Sequence, residues 1–124
     1  NDTYAFSRGS GVDQIIENDS TAGNADILQF SDSTTRDQLW FSRVANNLEV
    51  SIIGTFDKTV IKDWYVGSAN QVEQIKTVTG TLFSAQVQNL VNAMAGMPAP
   101  SFGQTTLTSQ QHTQLDAIIS ASWS

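Results

Sequence analysis

Residues 8–19 read RGSGVDQIIEND: two glycines two apart, an aspartate two beyond the second, then a pair of isoleucines. Each position has a physical use. Gly9 and Gly11 let the backbone turn sharply and expose carbonyl oxygens, because glycine enters φ regions closed to other residues. Asp13 adds a charged oxygen, and Ile15 starts a short strand that anchors the turn in a core. Bare carbonyls and a carboxylate suit a hard cation such as calcium, which takes six to eight oxygens at about 2.3–2.6 Å. One such turn supplies roughly half of that shell, so a stacked neighbour must supply the rest.

Worn neighbours are present. Gly9-Ser10-Gly11-Val12-Asp13-Gln14-Ile15 satisfies G-x-G-x-D-x-U, with U a large apolar residue, most of the nonapeptide that builds calcium-binding parallel β-rolls. Asn1-Asp2-Thr3-Tyr4 puts Asp2 in the aspartate slot and Tyr4 in the apolar one. Asn24-Ala25-Asp26-Ile27-Leu28 repeats the relation with Asp26 and Leu28, and with Asn24 where glycine is expected. The three aspartates are 11 and 13 residues apart instead of nine, which widens the turns. If alternate repeats stack on one side, Asp2 pairs with Asp26, while Asp13 faces the other side. The same residues also suit an ordinary surface turn with solvated carboxylates, and that alternative stays open here.

Composition narrows the partners. A chain of 124 residues can bury a single core without staples. Twelve acids against six bases give a net charge of −6, which disfavours nucleic acid and favours cations. There is no cysteine, hence no disulfide and no zinc–thiolate site. No apolar run reaches the length of a membrane span, and no secretory leader opens the sequence.

Beyond the glycine stretch the pattern predicts strands and then helices. QLWFSRV and NLEVSII flank a tight turn at Ala45-Asn46, where asparagine tolerates positive φ. Leu48, Val50 and Ile52 alternate with Glu49 and Ser51, the period of a half-buried strand. KTVIK offers Val60 and Ile61 to the core, DWYVGSAN is a turn, and a strand runs through Val72, Ile75 and Val78 to a turn at Gly80. Ser84 is placed to cap a helix whose Val87, Leu90, Val91 and Met94 share one face, ended by Gly96 and Pro98. Thr108 or Ser109 caps a second, with Leu115, Ile118 and Ile119 on one face and Trp123 near its end.

Catalytic arrangements are weak. His112 is the one histidine, on a polar helix face, and no G-x-S-x-G occurs. Glu17 with Asp19, or Asp57 with Asp63, could be drawn as acid/base pairs, but carboxylates in turns are generally solvated. The sequence thus points to no enzyme. Trp40 lies inside an apolar strand and reads as core, whereas Trp64 and Tyr65 lie in a turn and could stack on sugars, giving a glycan- or cell-surface-binding module as the alternative function.

The stretches DTYAFSRGSGVDQIIENDSTAGNADILQF, DQLWFSRVANNLEVSIIGTFDKTVIKDWYVG and VEQIKTVTGTL resemble the haemolysin-type calcium-binding-related domain of bacterial RTX (repeats-in-toxin) proteins. The pattern L-W-F-x-R-x-x-N-x-L-x-V-S-I-x-G-T, followed by V-x-I-K-x-W-Y, is its most specific part, and the tail from Val87 is similar to the ends of those proteins. The resemblance implies a secreted bacterial protein, free or at the cell surface, that folds with calcium after passing a type I secretion machinery that reads a C-terminal signal. Carried over by position, the calcium ligands are Asp2, Asp13 and Asp26, with Gly9 and Gly11 giving carbonyls and Asn24 in a glycine slot. Arg8 also stands where glycine is usual, as in a roll that is ending. The expected organisation is therefore mainly β: degenerate calcium-roll repeats over 1–31, an antiparallel region over 32–83, and a helical tail over 84–124 carrying the export signal.

Overall fold

The computed structural model describes residues 3–7, 9, 11–16, 26–30, 34–67, 70–97 and 99–123. Arg8, Asp2, Asn24, Glu17, Asp19 and Pro98 lie outside the described residues. The chain is mostly β, with two mixed sheets and two helices. The strands are β1 (Thr3–Phe6), β2 (Val12–Ile15), β3 (Ile27–Phe30), β4 (Leu39–Val44), β5 (Asn47–Ile52), β6 (Lys58–Ile61), β7 (Gln74–Thr77) and β8 (Gly80–Phe83). The helices are α1 (Val87–Ala95) and α2 (Ser109–Ser122).

Successive early strands go to opposite sheets. One sheet has the order β1-β3-β7-β8, the other β2-β6-β5-β4. β1, β3 and β7 run parallel, with Thr3 opposite Ile27 and Ile27 opposite Gln74. β2 and β6 are likewise parallel, with Val12 opposite Lys58. The hairpins β4–β5 and β7–β8, and the pair β5–β6, are antiparallel. The stretch expected to be antiparallel therefore also adds parallel strands to the glycine-punctuated one.

A single apolar cluster joins the two sheets and both helices, from Phe6, Ile15, Leu28 and Phe30 through Leu48, Ile52, Ile61 and Ile75 to Leu90, Leu115 and Trp123. The β5 pattern is the one its alternation dictates, with Leu48, Val50 and Ile52 buried. Val87, Leu90, Val91 and Met94 are the buried residues of α1, as their spacing requires. Thr108 caps α2: its side chain accepts from the Gln111 amide, and the Gln111 side chain returns to the Thr108 amide.

Three local expectations need correction. Ser84 opens a 3₁₀ turn over Ser84–Gln86 and offers its carbonyl, not its side chain, to the amide of Val87. Val78 is in a turn and exposed, because β7 ends at Thr77. At the β4–β5 turn the positive φ of 55° falls on Ala45, not on an asparagine.

The two sheets end differently. The edge of β8 is covered by an antiparallel bridge from Leu82 to Trp123. Along β4, the Phe41 amide donates to Sδ of Met94 on α1 at 3.1 Å. The opposite edges, β1 and β2, carry no further strand among the described residues. They flank a cleft of about 360 Å³ lined by Tyr4, Phe6, Asp13, Ile15, Leu28 and Thr59.

Candidate functional site

The glycine turn leads into β2 and stands beside the start of β6. Gly9 has φ 87° and Gly11 φ 79°, a left-handed backbone that explains both glycines. Their amides converge on one carboxylate. Gly9 N–H donates to Oδ2 of Asp57 at 2.8 Å and Gly11 N–H to Oδ1 at 2.9 Å. Two amides on the two oxygens of an anion make a charge-assisted pair, stronger than neutral hydrogen bonds. The Gly11 carbonyl accepts from the Lys58 amide at 3.0 Å and so enters the β2–β6 ladder.

The other sheet repeats the arrangement. Asp26 directly precedes β3, and Glu73 directly precedes β7. The Asp26 amide donates to Oε1 of Glu73 at 3.0 Å, while its carbonyl accepts from the amides of Glu73 and Gln74 at 3.0 and 3.2 Å. In each sheet, then, an acid at the start of the later parallel strand receives the amide of the residue that starts the earlier one.

Of the expected metal ligands, Asp13 lies on β2, two residues before buried Ile15, and faces the open cleft as an exposed side chain. Asp26 is 2% exposed and stands just before β3, an inner strand of the other sheet. Asp13 and Asp26 thus serve separate turns, whereas Gly9 and Gly11 act together. Among the described residues, no three acidic or histidine side chains converge as a metal shell. What they offer calcium is partial: the Asp13 carboxylate beside the open edge, and backbone carbonyls that retain a second lone pair.

Sequence reasoning missed Glu73 and named Asp57 only as an acid/base partner of Asp63, not as an acceptor for the glycine turn. Asp57 is buried despite lying in a turn. The signal available was an acid immediately before a strand, in FDKTVI and VEQIKT, but the partners lie 46 to 48 residues away.

The residues of the glycan-binding alternative are otherwise employed. Trp64 is 3% exposed and part of the core cluster. Tyr65 lies beneath the Arg43 guanidinium, 4.2 Å from the ring centroid, and its buried hydroxyl has no hydrogen-bond partner among the described residues. Burial raises its pKa above 10.0, partly opposed by Arg43. Trp64 therefore presents no free face for sugar stacking, and one face of the half-buried Tyr65 ring is covered by Arg43. His112 is half-exposed on α2, with Nδ1 2.8 Å from Oδ1 of Asp116 one turn on. No described helix is long and apolar enough to cross a membrane.

Residues 47–86 match the haemolysin-type calcium binding protein related domain. This bears out the resemblance over β5 to β8, the region that contains Asp57 and Glu73. The chain is also 28% identical over 93 residues to the iron-regulated protein FrpA of Neisseria meningitidis serogroup C. That alignment covers 72% of this chain and 8% of the relative, so the chain spans a small part of that protein's length. Over β5 to β8 the chain is thus similar to the haemolysin-type calcium binding protein related domain.

Proposed function

We propose that the chain is the terminal folding module of a secreted RTX-type protein, a non-catalytic unit on which a calcium-dependent parallel β-roll ends. The observation that carries this reading is the asymmetry of the two sheets. Among the described residues β1 and β2 are open edges at the parallel ends of two mixed sheets, whereas β8 and β4 are closed by Trp123 and α1. Further turns could add at one end and not at the other.

In this reading Asp13 and Asp26 supply carboxylate oxygens, Gly9 and Gly11 supply carbonyls, and Asp2 and Asn24 complete the turns between them. Bound calcium would neutralise the Asp13 and Asp26 carboxylates and join oxygens of successive turns, adding to folding free energy. Extracellular calcium modules bind at about 10⁻⁴–10⁻³ M, above the free cytosolic level. In this reading the calcium-dependent turns stay unformed inside the cell, the chain passes a type I machinery with a signal in its C-terminal tail, and folding is completed outside. Biological activity would reside in other parts of the protein.

Thermal melts in chelator and in 10 mM calcium test the calcium reading. With dissociation constants in that range, ligand linkage stabilises the folded state by about 1.4–2.7 kcal/mol. Identical midpoints would overturn it. For export, deletion of residues 108–124 from the parent protein should leave the product inside the cell; undiminished product in the medium would remove the signal from this segment.

A further inference from the structure

The two acid–amide pairings share one geometry. In one sheet the residue before the upstream strand is Gly11, whose N–H goes to Asp57 and whose carbonyl receives the Lys58 amide. In the other it is Asp26, whose N–H goes to Glu73 and whose carbonyl receives the Gln74 amide. Asp57 directly precedes Lys58, and Glu73 directly precedes Gln74, so the same four-group pattern occurs once per sheet. The Gly9 amide adds a second donor to the Asp57 carboxylate.

We propose that Asp57 and Glu73 are anionic closures, one per sheet, that hold the last turns of the two parallel ladders in shape without a metal. A roll turn that depends on a cation is stabilised by neighbours on both sides. Here the later side of each turn is satisfied by a carboxylate of the same chain. The acids therefore end the run of cation-dependent turns and leave a formed edge for the next turn upstream. Asp57 and Glu73 are positioning residues, acting through the backbone of Gly9, Gly11 and Asp26. The idea of a closed last turn rests on the roll reading above; metal-independent closure does not.

Amide hydrogen exchange followed by NMR on the whole chain in chelator tests the proposal. In the unaltered protein the amides of Gly9, Gly11 and Asp26 should be protected without calcium. Asp57→Asn should lower protection at Gly9 and Gly11 by about 10- to 100-fold, the ratio expected for losing hydrogen bonds to a charged acceptor, and leave Asp26 unchanged. Glu73→Gln should do the reverse. In both variants the β4–β5 amides of Leu48 and Val50 should keep their protection. Unprotected Gly9, Gly11 and Asp26 in the unaltered chain would overturn the proposal, as would a uniform loss of protection in either variant. Calorimetry with calcium separates the two ideas. Protection in chelator with no heat of binding keeps the closures and removes the calcium reading. Heat of binding without protection in chelator does the opposite.

Discussion

Replacing Trp123 with alanine tests whether the C-terminal segment is part of the fold's closed end. Trp123 is 4% exposed, bridges to Leu82 of β8, and meets the Phe41 ring edge-on at 6.4 Å between centroids and 63°. Removing a buried tryptophan side chain costs about 3–5 kcal/mol, the transfer term plus the cavity left behind. One feature reduces that cost. The indole Nε1 is buried with no hydrogen-bond partner among the described residues, and losing an unsatisfied donor returns about 1 kcal/mol. The net expectation is a loss of about 3 kcal/mol, out of a total stability of about 5–15 kcal/mol for such a domain. For a chain of this size that lowers the melting midpoint by about 10 °C. Urea titration should show a lower midpoint with an unchanged slope, because the surface exposed on unfolding stays nearly the same. Trp123→Phe keeps a ring and drops the orphaned N–H, and should fall within about 1 kcal/mol of the unaltered protein. A loss below about 1 kcal/mol for Trp123→Ala would refute the docking argument.

Gly54 has φ 76°, and a Cβ built on it would meet the backbone carbon and oxygen of Gln104 at 2.6 Å. Gly54→Ala should cost about 3 kcal/mol by denaturant titration, from left-handed strain and overpacking together, and a cost under about 1 kcal/mol would contradict the close approach. Ala45 carries φ 55° in the β4–β5 turn. Ala45→Gly relieves that strain and should stabilise by about 0.5–1 kcal/mol after glycine's own entropy cost; a destabilised variant would count against the turn geometry. The raised pKa of Tyr65 means that the folded state holds its proton more tightly than the unfolded one. Its contribution is fully present below the ordinary value of 10.0 and is lost as pH rises through the higher folded value. Stability should therefore fall less steeply in Tyr65→Phe as pH rises from 10.0 towards the folded value, and parallel curves there would refute the assignment.

Local periodicity carried the elements whose partners are close in sequence. The alternation of Leu48, Val50 and Ile52 and the four-residue face of α1 are both present as written, because burial on one side imposes the spacing directly. The β4–β5 turn was legible for the same reason, although strain settled on Ala45 once the register put two residues between Val44 and Asn47. Val78 misled because β-branched residues suit a strand wherever they fall, and the β7–β8 register ends at Thr77 opposite Gly80. Long-range pairing left no local trace. Nothing in KTVIK says that Lys58 lies opposite Val12, and so nothing marked Asp57 as the acceptor for Gly9 and Gly11. The glycines themselves were legible, since only a positive φ explains two of them so placed. Their amides are satisfied by a partner that the motif does not contain.

The proposed calcium site is the turn at Gly9–Asp13, with Asp26 in the other sheet, and the helices serve as a fixed closure. A two-dimensional amide NMR titration of the whole chain with calcium tests it most directly. Shifts should concentrate at Gly9, Gly11, Asp13 and Asp26, saturating with a dissociation constant of about 10⁻⁴–10⁻³ M, with α1 and α2 unmoved. Spectra that stay superimposable up to 10 mM calcium, about tenfold above the weak end of that range, would contradict it.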